Sequence, residues 1–208
     1  MKNVEEFMKK SPDKKQDIIC AAIQIFATTG YAASNVPSIA KGARVSVGSI
    51  YHYFDNKQAI LNVAFQDVLN QFLDSICNSI QQESETKNTF DRLFNITIEL
   101  IDDNTTAMHF IYQNIFNVDL NTESKDLRSK VISTLTEFLE AGQKDGTFIK
   151  AGVQSQIALL TGSLSMMANF SWIGENVETA VSPDSSTILD LKNQVWNGLI
   201  GENKTFNS

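Results

Sequence analysis

Val45-Ser46-Val47-Gly48-Ser49-Ile50-Tyr51-His52-Tyr53-Phe54, with Lys57 close behind, is the stretch on which the reading of this chain turns. Ser46 is placed to cap a short helix by accepting the backbone N–H of Ser49. Ile50 and Phe54 lie four residues apart and face inward, which leaves Val47, Gly48, Ser49, Tyr51 and His52 outward or at the leading end. A helix with so many ring polar groups is a poor core element, because each would need a buried partner. It is well suited to the major groove of DNA, where the N-terminal part of a recognition helix meets the base edges. Gly48 permits close backbone approach there, at a helix-propensity cost of about 1 kcal/mol relative to alanine. Just upstream, Ile39, Ala40 and Ala43 give the apolar side of a first short helix, about Asn35 to Ala43. Val45 packs under the turn between the two, so residues 39–54 read as a helix-turn-helix.

Outward from this motif the periodicity is helical, and strand signals are nearly absent. Ser11-Pro12-Asp13 starts a helix with a hydroxyl cap, proline at the first helical position and an acid near the positive dipole end. Its face is Ile18, Ala22, Ile25 and Phe26, and Gly30 stops it. A long helix runs from near Asn56 to about Gln82. After a polar linker at residues 81–88, apolar stripes begin at Phe90, Met108, Leu127 and Ile188, with an uncharged helix of roughly 154–173 before the last. The expected fold is all-α, with about nine helices: an N-terminal three-helix helix-turn-helix domain (1–56) and a C-terminal helical bundle (57–208), joined by a connector helix (57–82).

The net charge of −7 at first argues against nucleic acid. It divides unevenly, since residues 1–57 carry 8 Lys and Arg against 5 Asp and Glu, whereas residues 58–208 carry 9 against 19. A basic module on an acidic body fits that division. Two cysteines, Cys20 and Cys77, are too few for a disulfide framework or a four-cysteine zinc site, and reduced thiols in a cytoplasmic protein are expected. The start of the chain lacks the apolar core of a signal peptide. The uncharged run Ala151–Gly174 is long enough to span a bilayer. Its Gln, Ser, Thr and Asn content favours a buried or subunit-facing helix, and no membrane partner is expected.

The segment resembles the TetR family of bacterial transcriptional regulators over about residues 12–62. The resemblance is carried by Ile25-Phe26-Ala27-Thr28-Thr29-Gly30-Tyr31, by Ile39-Ala40, and by Val45 through Lys57. It implies a homodimer that binds double-stranded DNA at a palindromic operator, with a variable ligand-binding domain behind. It carries DNA contact onto Ser46, Val47, Gly48, Ser49, Tyr51, His52 and Tyr53. It carries a phosphate contact onto Lys57 and onto the polar helix start at Ser34 or Asn35. Three positions depart from the pattern. Pro37 stands where a basic or polar residue is frequent, and disfavours a helical Val36. Arg44 replaces the turn glycine and is either a phosphate contact or a solvated charge. Val47 replaces a common Lys or Arg, which suits a thymine methyl better than guanine.

In the body, Phe94, Ile98, His109, Tyr112, Gln113, Phe138, Met166, Asn169 and Phe170 are candidates to line a pocket for a small, largely apolar ligand. The dimer face is expected on the last two helices. Ala158, Gly162, Ser165 and Ala168 give one a small-residue surface, and Ile188, Leu191, Val195 and Trp196 give the other an apolar stripe. An enzyme is the principal alternative class. A di-iron bundle needs paired Glu-x-x-His motifs, yet neither His52 nor His109 has glutamate three residues earlier. No GxSxG elbow, Walker loop or dinucleotide fingerprint occurs, so neither catalytic residues nor a cofactor or metal are expected. A helical ligand-binding or partner-docking protein that has lost DNA binding is a further reading, kept open by Pro37 and the scarcity of basic residues.

Overall fold

The computed structural model of the protein describes residues 13–83, 85–178 and 180–201. Among these residues it has no strand and nine helices: α1 (Lys14–Thr29), α2 (Val36–Gly42), α3 (Val47–Tyr53), α4 (Lys57–Gln82), α5 (Thr86–Asp103), α6 (Thr105–Asn114), α7 (Thr122–Asp145), α8 (Val153–Asn176) and α9 (Ser185–Ile200). They form two compact units. One contains the residues through Gln71 together with Asp103–Arg128, and the other Phe72–Asp102 with the residues from Ser129 onward.

The first unit is built on α1. Its cap is Asp13, whose carboxylate accepts the Lys15 N–H at 2.9 Å, whereas Ser11 and Pro12 lie outside the described residues. Asp13 thus takes the capping role expected of a hydroxyl. Ile18, Ala22 and Phe26 are fully buried along one face, as the periodicity predicts, whereas Ile25 of the same predicted face is half-buried. Gly30 ends the helix at φ 77°, where a side chain would be strained. Both α2 and α6 pack on α1. Residues Ala107 to Ile111 of α6 are all buried, and the Phe110 ring stacks on Phe26 at 6.0 Å. The helix-turn-helix therefore shares its core with α6, far beyond the 1–56 segment expected from sequence. A helix buried over most of its circumference has little polar face to hold it in water and must be packed among its neighbours.

In the second unit Phe90, Phe94, Phe138, Leu139 and Phe148 form the core. Phe148 meets Phe138 at 5.6 Å and Trp196 at 5.8 Å, with the edge of one ring toward the face of the next. The turn after α7 is closed by the Phe148 N–H donating to Gly142 O at 2.8 Å. A Cβ at residue 142 would run into the Phe148 ring at Cδ2, so this position admits only glycine without displacement. Asp91 on α5 pairs with Lys87 and with Lys192 of α9, the latter at 2.9 Å. Burial works to raise the Asp91 carboxyl, but hydrogen bonds from the two ammonium groups outweigh it and hold the pKa below its ordinary value.

Of the described helices one, Val153–Asn176, is long and apolar enough to cross a membrane. Its polar Gln156 is buried, donates to Ile149 O at 3.2 Å and accepts from Gln143 Nε2 at 2.8 Å.

Candidate nucleic-acid interface

The turn between α2 and α3 has the hydrogen bonds of a Schellman motif. The Val45 N–H donates to Ala40 O at 3.0 Å, and the Arg44 N–H to Lys41 O at 3.2 Å. Glycine usually holds the left-handed position of this motif, and here Arg44 does so at φ 56°. The next helix is capped as the sequence predicts, with Ser46 Oγ accepting the Ser49 N–H at 3.1 Å. Ile50 and Phe54 point inward at 0% and 4% exposure. The opposite side of α3 is open: Val47, Gly48, Tyr51, His52 and Tyr53 are exposed and Ser49 is half-buried. The His52 and Tyr53 rings meet edge to face at 5.1 Å.

At the start of α2, Asn35 is the cap, accepting the Ser38 N–H at 2.9 Å, and Val36 is the first helical residue. Pro37 therefore sits where a backbone N–H has no helical partner to lose. Asn35, at the start of α2, and Arg44, in the turn before α3, are exposed, but two expected contacts are placed otherwise. Ser34 is buried, and its hydroxyl donates to Tyr31 O at 2.7 Å. Lys57 donates to the carbonyls of Tyr31 and Ser34 at 2.7 and 2.9 Å, and its ammonium lies 4.4 Å from the Tyr31 ring centroid. These two residues brace the entry to α2. Backbone carbonyls at the end of a turn compete for an ammonium as a phosphate would, and nothing in the residue pattern separates the two.

The nine candidate ligand residues do not fall in one unit. His109, Tyr112 and Gln113 belong to the first, and the other six to the second. His109 is buried with Nε2 2.6 Å from Gln113 Nε2, and burial pushes the Tyr112 hydroxyl well above its ordinary pKa. Phe94 and Phe138 are core residues, and Ile98 is half-buried. Asn169 is half-buried too and donates to Ser165 O at 2.8 Å. Met166 and Phe170 stand on the outer face of α8, 50% and 46% exposed.

The expected dimer stripe needs correction at three positions. Ala168 and Val195 are buried within their own unit at 0% and 1% exposure, so neither has surface to offer a partner. The Trp196 ring is turned inward, 5.1 Å from Phe90. Ala158 and Gly162 are exposed, and Ser165, Ile188 and Leu191 are half-buried. The apolar outer face of α8 runs instead through Leu159, Met166, Phe170 and Ile173. The uncharged run from Val153 to Gly174 marks α8 as a helix with a hidden side, but its small residues do not reveal which side meets its own chain.

Comparison with known proteins agrees with this architecture. Residues 18–64 match the family described as bacterial regulatory proteins, tetR family, and residues 65–199 match the tetracyclin repressor-like C-terminal domain. The fatty acid metabolism regulator protein of Bacillus subtilis (strain 168) is 26% identical over 188 residues, covering 88% of this chain and 96% of its own. The HTH-type transcriptional repressor KstR2 of Rhodococcus jostii (strain RHA1) is 27% identical over 145 residues, 65% of this chain and 68% of its own. Among solved structures, the fatty acid degradation regulator FadR of Bacillus halodurans superposes with a TM-score of 0.72 at 23% identity, covering 92% of this chain and 98% of that one. FadR of Bacillus subtilis, solved in complex with stearoyl-CoA, gives 0.68 at 22% identity, covering 90% and 98%.

Proposed function

The chain belongs to the TetR family of bacterial transcriptional regulators, and from that premise we propose that it is a homodimeric repressor of a palindromic operator, released when a long-chain fatty acyl-CoA binds its C-terminal domain. The observation that carries the DNA-binding half is α3, whose cap and inward residues are fixed while Val47, Gly48, Tyr51, His52 and Tyr53 are left to solvent. Tyrosine and histidine there donate to phosphate oxygens and set register, while Val47 reads a thymine methyl. Asn35 and Arg44 flank them. Lys57 and Ser34 act behind the interface by holding the start of α2.

The outer face of α8, with Leu159, Met166, Phe170 and Ile173, is the proposed contact between copies. Such a row is an apolar patch on an isolated chain. A two-fold pairing of the last two helices would cover it as a four-helix bundle. The acyl-CoA reading rests on the similarity to the Bacillus subtilis regulator along nearly the whole chain and on the stearoyl-CoA complex of that fold relative. Within the second unit, Phe94, Ile98, Phe138 and Asn169 are the proposed surroundings of the ligand. The reading makes the chain a regulator without catalytic residues or a metal, working in the cytoplasm. Nearly complete release requires the ligand to favour the non-binding conformation by about 5.5 kcal/mol.

Titrating a protein–operator complex with stearoyl-CoA, and with coenzyme A alone, tests the ligand. Dissociation by stearoyl-CoA only is the expected result. Operator binding indifferent to both would contradict the acyl-CoA assignment while leaving the DNA-binding half standing.

A further inference from the structure

Asn62 lies in the second turn of α4 at 3% exposure, between apolar neighbours that line the core. Both ends of its side chain are committed. Its Oδ1 accepts the Asn121 N–H and the Ser124 hydroxyl, each at 2.7 Å. Its Nδ2 donates to Gln58 O at 2.8 Å and to Asp119 O at 3.1 Å. Gln58 Nε2 donates to the same Asp119 carbonyl at 2.8 Å. One turn earlier Lys57 grips the Tyr31–Ser34 corner that leads into α2. Burial first, and then the Asp119 carboxylate beside it, push the Tyr31 hydroxyl at that corner up to about 12. The first turns of α4 thus fasten two corners of the same unit, the one entering the helix-turn-helix and the one entering α7.

We propose that Asn62 is a positioning residue for operator binding, fixing the helix-turn-helix at a set place relative to the start of α7. Stability alone gives little reason for this amide, because replacing both sides of a buried hydrogen bond with well-packed apolar groups can be nearly neutral. What an asparagine with four partners supplies is direction, since an apolar contact tolerates sliding and a satisfied polar network does not. The place matters because α4 and α7 each begin in the first unit and continue into the second. A displacement along either helix therefore reaches the helix-turn-helix through the residues that join them. Asn62 touches no DNA in this scheme and acts through the backbone it holds.

The inference rests on the proposed operator binding, and its test separates the two. Full-length protein is titrated against its selected operator and against versions with the half-sites moved by one and two base pairs. Asn62→Ala is expected to lose about tenfold in affinity at the native spacing, the scale of one buried hydrogen bond, and much less at the altered spacings. A loss equal at every spacing, tracking a lowered melting temperature, would mark a purely structural residue and overturn the proposal, as would no loss. Should Asn62→Ala not fold, Gln58→Ala removes only the exposed amide on Asp119 and is expected to flatten the spacing preference in the same direction. An unchanged spacing preference in Gln58→Ala would then overturn it. Wild-type protein without any two-fold site would instead remove the operator reading itself.

Discussion

Arg44 holds φ 56° at the position where a helix-ending turn favours glycine. The left-handed conformation costs a side-chain-bearing residue about 1 kcal/mol or more, and glycine returns part of that gain through a freer unfolded chain. Arg44→Gly is accordingly expected to raise the free energy of unfolding slightly, by under about 1 kcal/mol, read as a higher urea midpoint. The same variant decides what the guanidinium does. If it grips a phosphate, the salt dependence of operator binding falls by about 0.9 in log–log slope, one phosphate contact's share. If Arg44 is only solvated, the slope stays put. Gly142 works in the opposite sense, since a methyl there would enter the Phe148 ring. Gly142→Ala is expected to destabilise the protein by about 1–3 kcal/mol through overpacking, read by chemical denaturation; no change would show that the ring moves freely. At this scale the sequence was legible wherever the cause is local. The Ser46 cap and the inward Ile50 and Phe54 follow from spacing alone. The burial of Ser34 and the carbonyl-bound ammonium of Lys57 do not, because both depend on a corner of the fold 23 residues away in sequence.

Among the elements, α9 shows most directly how a cap responds to pH. Asp184 accepts the Thr187 N–H at 2.8 Å and the Ser186 hydroxyl at 2.9 Å. These bonds, the backbone bond from Thr187 first, lower its pKa to about 2. Because the folded value lies below the unfolded one of about 3.9, the stabilisation is complete above pH 4 and is lost as the pH falls toward 2. Asp184→Ala should therefore lower the urea midpoint at pH 6, and its difference from wild type should shrink steadily between pH 4 and pH 2. A difference constant across that range would contradict the ionised cap. Element boundaries were readable because caps and stops are local signals. The packing of α6 against α1 was not, since an apolar stripe such as Met108, Ile111 and Ile115 announces burial without naming its neighbour. For the same reason Ala168 and Val195 passed for surface residues.

For the whole molecule, reading a two-fold operator requires two copies of the chain. Phe170 and Met166 stand half exposed on a helix without a charged residue between Val153 and Gly174. Met166→Glu with Phe170→Glu would place two carboxylates in the proposed contact, where their desolvation is uncompensated. Sedimentation is expected to show a dimer for wild type and a folded monomer with weakened operator binding for the double variant. A variant that remains dimeric would move the interface elsewhere. The acidic net charge of −7 is compatible with DNA binding because recognition is assigned to one exposed helix and its flanks, not to the whole surface.

The claim that α3 reads DNA from a two-fold assembly is tested most directly by selecting fragments of the source genome on the full-length protein and footprinting what is retained. The expected result is an enriched palindrome whose half-site centres lie about 34–36 Å apart, one turn of DNA or a multiple of it, and whose retention fails with Tyr51→Ala or His52→Ala. Retained fragments sharing no two-fold sequence, or a palindrome bound equally well by both variants, would contradict it.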